Sequence, residues 1–310
     1  MKKFLLVSLF FSVGIFSSNS QNVKTDLTLQ KGLEEITRNF KGTPGVYVYN
    51  LRTGMQAGIN ADTIFPTASI VKVPIILGLF EKINNGELTI NDTLLYREDR
   101  VYGGSGLMQF YKDSTKTDLR TVAALMITYS DNVTSIWSQE LAGGGEEINK
   151  LMERIGLKHT CVNSRTKGRE DLWKKYGWGQ TTPREMASIL VKIRNREVIS
   201  KAASDEIYRM MTNSFYTDYA LSQIPPHVQT AAKQGMVNES RSELVMVNAP
   251  GGDYVFYIAT KDNEDTSWDY ENEAWELQRK ISSYLWNYFE PSSGWKPAQG
   301  AEELVRGLKY

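Results

Sequence analysis

Ser69-Ile70-Val71-Lys72 places a lysine three positions after a serine, and Ser130-Asp131-Asn132 and Lys233-Gln234-Gly235 follow further along the chain. A serine hydroxyl is a poor nucleophile near neutral pH and needs a base within hydrogen-bond reach. If a helix begins at Ser69, Lys72 lies almost one turn on along the same face, because i and i+3 are neighbours. A lysine acts as base only when its pKa falls from about 10.4 toward neutrality, which burial and a second cation such as Lys233 both promote. Ser130 offers a second hydroxyl able to relay a proton to a leaving nitrogen. Asn132 offers an amide that binds substrate and ties down Lys72. The backbone N–H of Ser69, at a helix start, supplies half of an oxyanion hole. Together these residues spell acyl transfer through a serine ester.

Other chemistries find less support. The two histidines, His159 and His227, lie outside any Gly-x-Ser-x-Gly context, which argues against a Ser-His-Asp triad. His159 and Cys161 have no second pair to complete a tetrahedral metal set, so no metal and no cofactor are expected. The clusters Gly103-Gly104-Ser105-Gly106 and Gly143-Gly144-Gly145 lack the spacing of a phosphate loop and read as turns, the first bordering the cleft. With 36 basic and 36 acidic residues the net charge is zero, and no basic stripe points to nucleic acid.

The three motifs together form the set used by class A β-lactamases and penicillin-binding proteins. In these residues the chain resembles the class A β-lactamase family, and the likeness runs from about Leu27 to Glu290. Phe65-Pro66-Thr67-Ala68, Leu125-Met126-Ile127-Thr128-Tyr129 and Thr181-Thr182-Pro183-Arg184-Glu185-Met186-Ala187 are similar to family segments as well. The resemblance implies a serine hydrolase that opens β-lactam rings through an acyl-enzyme on Ser69. Lys72 is then its base, Ser130 the relay and Lys233 the electrostatic partner. It also implies substrate contacts from Asn132, Gln234, Gly235 and Tyr102, and makes Arg241, in Ser240-Arg241-Ser242, the candidate for a substrate carboxylate. Structural ion pairing of Arg241 with Glu239 or Glu243 is the competing expectation.

Two departures bear on what the resemblance carries. Gln234 stands where the family has Thr or Ser, and its longer amide aims a hydrogen bond differently from a hydroxyl. The family also has a loop glutamate, in Glu-x-x-Leu-Asn, that activates the deacylating water. Here that place holds Thr166, in Asn163-Ser164-Arg165-Thr166-Lys167-Gly168-Arg169-Glu170-Asp171. Glu170 or Asp171 substitutes only if the loop takes another path. Without such a base hydrolysis slows, a general base being worth about 10²- to 10⁴-fold. A D-alanyl-D-alanine peptidase-like enzyme, an esterase, and a penicillin-binding pseudoenzyme or sensor therefore stay open beside the β-lactamase. The substrate is a small β-lactam or peptidoglycan-like molecule, and the chain is expected to be a monomer.

The elements that must position these residues read as an α+β fold: an antiparallel sheet flanked by terminal helices, with an all-α subdomain, about residues 62–214, inserted between its first and later strands. Leu27 to Phe40 has helical spacing and precedes a strand from Gly45 to Leu51. Helices are expected at Ser69 to Asn84, Leu119 to Tyr129, Glu146 to Ile155, Pro183 to Arg194, Lys201 to Asn213 and Glu271 to Tyr288. Leu244 to Asn248 and Tyr254 to Thr260 read as strands, turning through Gly251-Gly252-Asp253. The cleft should fall between the subdomains. Trp173, Tyr176 and Trp178 lie near its predicted loops. Lys2-Lys3 followed by the apolar run Phe4 to Phe16 and small residues through Ser20 reads as a secretory signal over residues 1–20, short of the about 20 apolar residues of a membrane span. Export to a periplasm, or secretion, is the expectation, with a catalytic domain at 21–290 and a C-terminal extension at 291–310. A single cysteine, Cys161, excludes an internal disulfide.

Overall fold

The computed structural model describes residues 24–304, so the expected signal segment and the end of the tail lie outside the described residues. Along the chain, β1 (Lys24–Thr25), α1 (Leu27–Thr37), β2 (Thr43–Asn50), β3 (Met55–Ile59) and β4 (Phe65–Pro66) come first. A 3-10 turn at Ala68–Val71 runs directly into α2 (Lys72–Asn84). There follow β5 (Thr93–Leu95), β6 (Lys116–Asp118), α3 (Leu119–Thr128), α4 (Asn132–Leu141), α5 (Gly144–Arg154) and β7 (Cys161–Val162). Next are α6 (Glu170–Tyr176), β8 (Gly179–Thr181), α7 (Pro183–Arg194) and α8 (Lys201–Met211). The last strands, β9 (Thr230–Val237), β10 (Ser240–Val247) and β11 (Tyr254–Lys261), precede α9 (Glu273–Phe289).

The main sheet has the order β1-β3-β2-β11-β10-β9. Every neighbouring pair is antiparallel except β1 and β3, which are parallel, so the α+β fold holds with one parallel pair at its edge. Both faces of the sheet are buried, and strand alternation divides them. Tyr254, Phe256 and Ile258 of β11 join Leu29, Leu33, Ile281 and Leu285 beneath α1 and α9. Val255, Tyr257 and Ala259 of the same strand face the opposite core, shared with α2 and α7. A strand covered on both sides needs apolar residues at every position, which is why Tyr254 to Thr260 reads as a continuous apolar run. Each fully buried Leu, Ile or Phe contributes roughly 1.5–3 kcal/mol.

Helices α2 to α8 lie between β4 and β9 in the sequence, but that region is not all-α as expected: it also holds the small sheets β4-β8-β7 and β5-β6. The expected helices are found in place with shifted ends: α1 stops at Thr37, α5 begins already at Gly144 and α9 runs from Glu273 to Phe289. Two helices, α4 and the short α6, were not expected; α4 shows why. Val133, Thr134 and Ile136 are β-branched and its serines compete for backbone groups, so its intrinsic propensity is low. Tertiary burial of Val133, Ser135, Trp137 and Ser138 overrides that preference.

Candidate active site

The nucleophile candidate sits where a turn becomes a helix. Ala68 takes a left-handed φ of 43°, and the 3-10 turn it opens delivers Ser69 three residues ahead of Lys72, the first residue of α2. The Lys72 side chain is fully buried and its Nζ donates to Ser69 Oγ at 3.0 Å. Ser130 Oγ at 3.0 Å, Ser130 O at 2.5 Å and Asn132 Oδ1 at 2.9 Å surround the same nitrogen. An ammonium has three N–H donors, so four oxygens compete for it.

Ser130 lies in the link between α3 and α4 with a left-handed φ of 55°. Its neighbour Asp131 holds that link in place. One oxygen of Asp131 caps α4 by accepting from Thr134 N at 2.9 Å, while the other accepts from Leu107 N at 2.7 Å and Met108 N at 2.8 Å. Asn132 adds a bond from its Nδ2 to Gly103 O, at 3.1 Å. The glycine-rich turn is thereby tied to the Ser-Asp-Asn segment, as its expected place at the cleft border required. Asp131→Ala leaves three buried or partly buried N–H groups without their acceptor. It is expected to cost about 3–5 kcal/mol, measured by denaturant unfolding, and a loss below about 1 kcal/mol would refute this tethering.

From the sheet, Lys233 approaches the same hydroxyl. Its fully buried Nζ donates to Ser130 Oγ at 2.9 Å and to Gln234 O at 2.8 Å. Gly235 lets β9 come this close to the nucleophile turn, since an added Cβ would lie 2.5 Å from Thr67 O. Burial, then the charge of Lys233, holds the Lys72 amine well below its usual range, with Asp131 opposing. Burial brings Lys233 down to about 7, against an upward pull from Glu243. Ser69, Lys72, Ser130, Asn132 and Lys233 thus converge from the α2 turn, the α3–α4 link and β9, and the buried amines are poised to exchange protons with the two hydroxyls.

Two cavities meet at Ser69. One, of about 580 Å³, is bordered by Ser105, Ser130, Tyr216, Gln234, Met236 and Trp268. The other, of about 620 Å³, includes Tyr102, Lys175, Tyr176 and Trp178. Tyr102 packs edge-on against Trp178 at 5.4 Å, and the Trp178 ring centre lies 5.8 Å from Lys72 Nζ. Trp173 borders neither cavity and is half exposed.

Arg241 is not brought to the cleft. Strand register sets it opposite Met236, on the face covered by α9, where it is fully buried. Its guanidinium lies over the rings of Trp268 and Trp275 and donates to Asn238 O, Ser240 O and Ser267 O. Among the described residues it forms no ion pair with Glu239 or Glu243; the Glu243 carboxylate instead accepts from Ala220 N at 2.7 Å. Glu170 also stays apart. It is exposed, and its carboxylate accepts from Gly168 N at 3.1 Å, which with its own backbone N–H lowers its pKa. Asp171 pairs with Lys174 at the surface, and Thr166 Oγ1 donates to Ser164 O. No carboxylate among the described residues hydrogen-bonds Ser69, Lys72 or Ser130.

Sequence reading missed Asp131 as a tether, Ser105, whose Oγ lies 2.7 Å from Tyr216 Oη, and Trp268. Tyr216 and Trp268 come from loops with no chemical signature. Asp131 alone had a signal, as an N-cap residue ahead of a helix.

A family model described as the beta-lactamase enzyme family matches residues 28–289. The chain is 23% identical to beta-lactamase VEB-1 of Pseudomonas aeruginosa over 308 residues, covering 93% of this chain and 98% of that protein. It is 30% identical to beta-lactamase SME-1 of Serratia marcescens over 156 residues, 49% of this chain and 52% of the other. Among solved structures, PBP-A superposes with a TM-score of 0.77 at 26% identity, covering 86% of this chain and 98% of that one. The family model covers most of the chain, and the chain belongs to the β-lactamase enzyme family.

Proposed function

We propose that the protein is a serine hydrolase of class A β-lactamase type, opening β-lactam rings through an acyl-enzyme on Ser69. The observation that supports this most directly is one buried amine, Lys72 Nζ, within 3.0 Å of both Ser69 Oγ and Ser130 Oγ. Neutral Lys72 takes the Ser69 proton as Oγ attacks the lactam carbonyl carbon. The C–N bond then breaks and the nitrogen takes the proton of Ser130 Oγ, which Lys72 replaces. Lys233, bonded to the same Oγ, stabilises its transient negative charge. Asn132 orients Lys72 and the substrate, Gly235 lets β9 pack against the turn that carries Ser69, and Tyr102 borders the acyl side. The signal segment at 1–20 and export are part of the same reading, supported by the N-terminal pattern; no helix of the described residues is long and apolar enough to cross a membrane.

Hydrolysis of the ester has no dedicated carboxylate in reach, so Lys72 is the base available to the water as well. Slow deacylation favours a second reading, a penicillin-binding or D-alanyl-D-alanine peptidase-like enzyme. One similar solved structure is a mutant of PBP-A in an acyl-enzyme complex with penicillin-G. Intact-protein mass spectrometry over time with a chromogenic cephalosporin separates the two: turnover with a transient adduct supports the β-lactamase, and a persistent adduct the second reading. Glu170→Gln is expected to change adduct decay by less than about twofold, because its carboxylate lies outside the cleft; a slowing within the roughly 10²- to 10⁴-fold range of a general base would assign the water to it.

A further inference from the structure

The two arms of the cleft differ in charge. Ser130, the hydroxyl bonded to both lysines, opens into the arm bordered by Gln234 and Trp268, so the leaving group departs there. None of the described residues lining this arm carries a formal charge. Three groups that would hold an anion are engaged within the protein. Lys233 is fully buried and donates to Ser130 Oγ and Gln234 O. Arg241 is closed in by Trp268 and donates to backbone carbonyls. Gln234 Nε2 donates to Ser214 Oγ at 2.9 Å and to Tyr216 O at 2.8 Å, so both amide hydrogens are engaged within the protein.

Behind Gln234 stands a carboxyl. Glu243 pairs with Gln234 across β9 and β10 and is fully buried, and burial raises its carboxyl to about 7, with bonds from Ala220 N and the Gln234 side chain opposing. A free carboxylate entering this arm loses hydration and meets no charged donor in return. An ester or amide loses less on entry, and its alkyl or aryl part gains the faces of Trp268 and Tyr216.

We propose that this arm selects substrates whose leaving-nitrogen side is uncharged, carrying an ester or amide in place of a free carboxylate, with Gln234 as its specificity-determining residue. The inference rests on the acyl-enzyme reading of Ser69. Its test compares a chromogenic cephalosporin bearing its ring carboxylate with the methyl ester of the same compound. Each rate is taken relative to uncatalysed hydrolysis, and the Ser69 adduct is followed by mass spectrometry. Full-length protein is expected to favour the ester by about tenfold or more in kcat/KM, the scale of a missing charge-assisted hydrogen bond. Gln234→Thr, which restores a free hydroxyl donor, should move the ratio about tenfold toward the acid. Glu243→Gln should move it the same way by a smaller factor. A wild-type preference for the acid, with Ser69 labelled by both compounds, overturns the selectivity and leaves the acyl-enzyme standing. Labelling by neither compound overturns both.

Discussion

Ser69→Ala is expected to carry no covalent adduct after exposure to a chromogenic cephalosporin and to lose turnover by roughly 10⁶-fold, the loss seen when a serine protease is deprived of its nucleophile. The size follows from the arrangement, since Ser69 Oγ is the hydroxyl held at 3.0 Å from Lys72 at the junction of both cavities. The substitution removes one half-exposed oxygen and leaves Ser130 and Lys233 in place, so the fold should keep its melting temperature. Hydrolysis that survives intact in a folded Ser69→Ala protein would mean that the serine is not the acylated group.

Lys72→Met is expected to slow acylation by about 10²- to 10⁴-fold, the usual worth of a general base. Methionine keeps most of the buried volume while removing the amine. The pH profile identifies the role. The neutral amine is the active form, so wild-type acylation should rise with pH as Lys72 loses its proton, a limb that burial and Lys233 shift well below the ordinary lysine range. It should fall again as Lys233 loses its charge near pH about 7. In Lys72→Met the rising limb disappears. Single-turnover acylation rates across pH would decide the matter; a slow variant with an unchanged rising limb would assign that limb to another group.

That the candidate residues meet in one place was legible because each motif is a short run whose spacing carries geometry. Ser69 and Lys72 need only one helical turn to meet, and the Ser-Asp-Asn segment brings Ser130 and Asn132 together within three consecutive residues. Arg241 illustrates what spacing along a strand does not reveal. The family resemblance made it a candidate for a substrate carboxylate, yet Lys233 and Gln234 face opposite sides of the sheet, and the hairpin register sets Arg241 beside Met236 on the α9 side. A single residue of register decides such a placement. Trp268 and Tyr216 were out of reach for a different reason: they enter from loops whose path is set by tertiary packing. Part of the sheet and most helices could be read from apolar periodicity, whereas β1, β3 and α6 were not, nor α4, whose β-branched and serine-rich sequence is helical only when buried.

Ala68 and Ser130 share a feature whose consequence extends beyond the cleft. Both hold left-handed backbone conformations that cost a non-glycine residue roughly 1–2 kcal/mol, and both adjoin reacting hydroxyls. Beside them two amines are kept out of water. Left-handed backbone and buried amines each cost folding free energy at the site, and the cores on either side of the sheet help to offset that cost. Evolution of this chain is constrained accordingly: drift that thins those distant cores narrows the margin on which the nucleophile's geometry depends, even where no altered residue comes near a substrate.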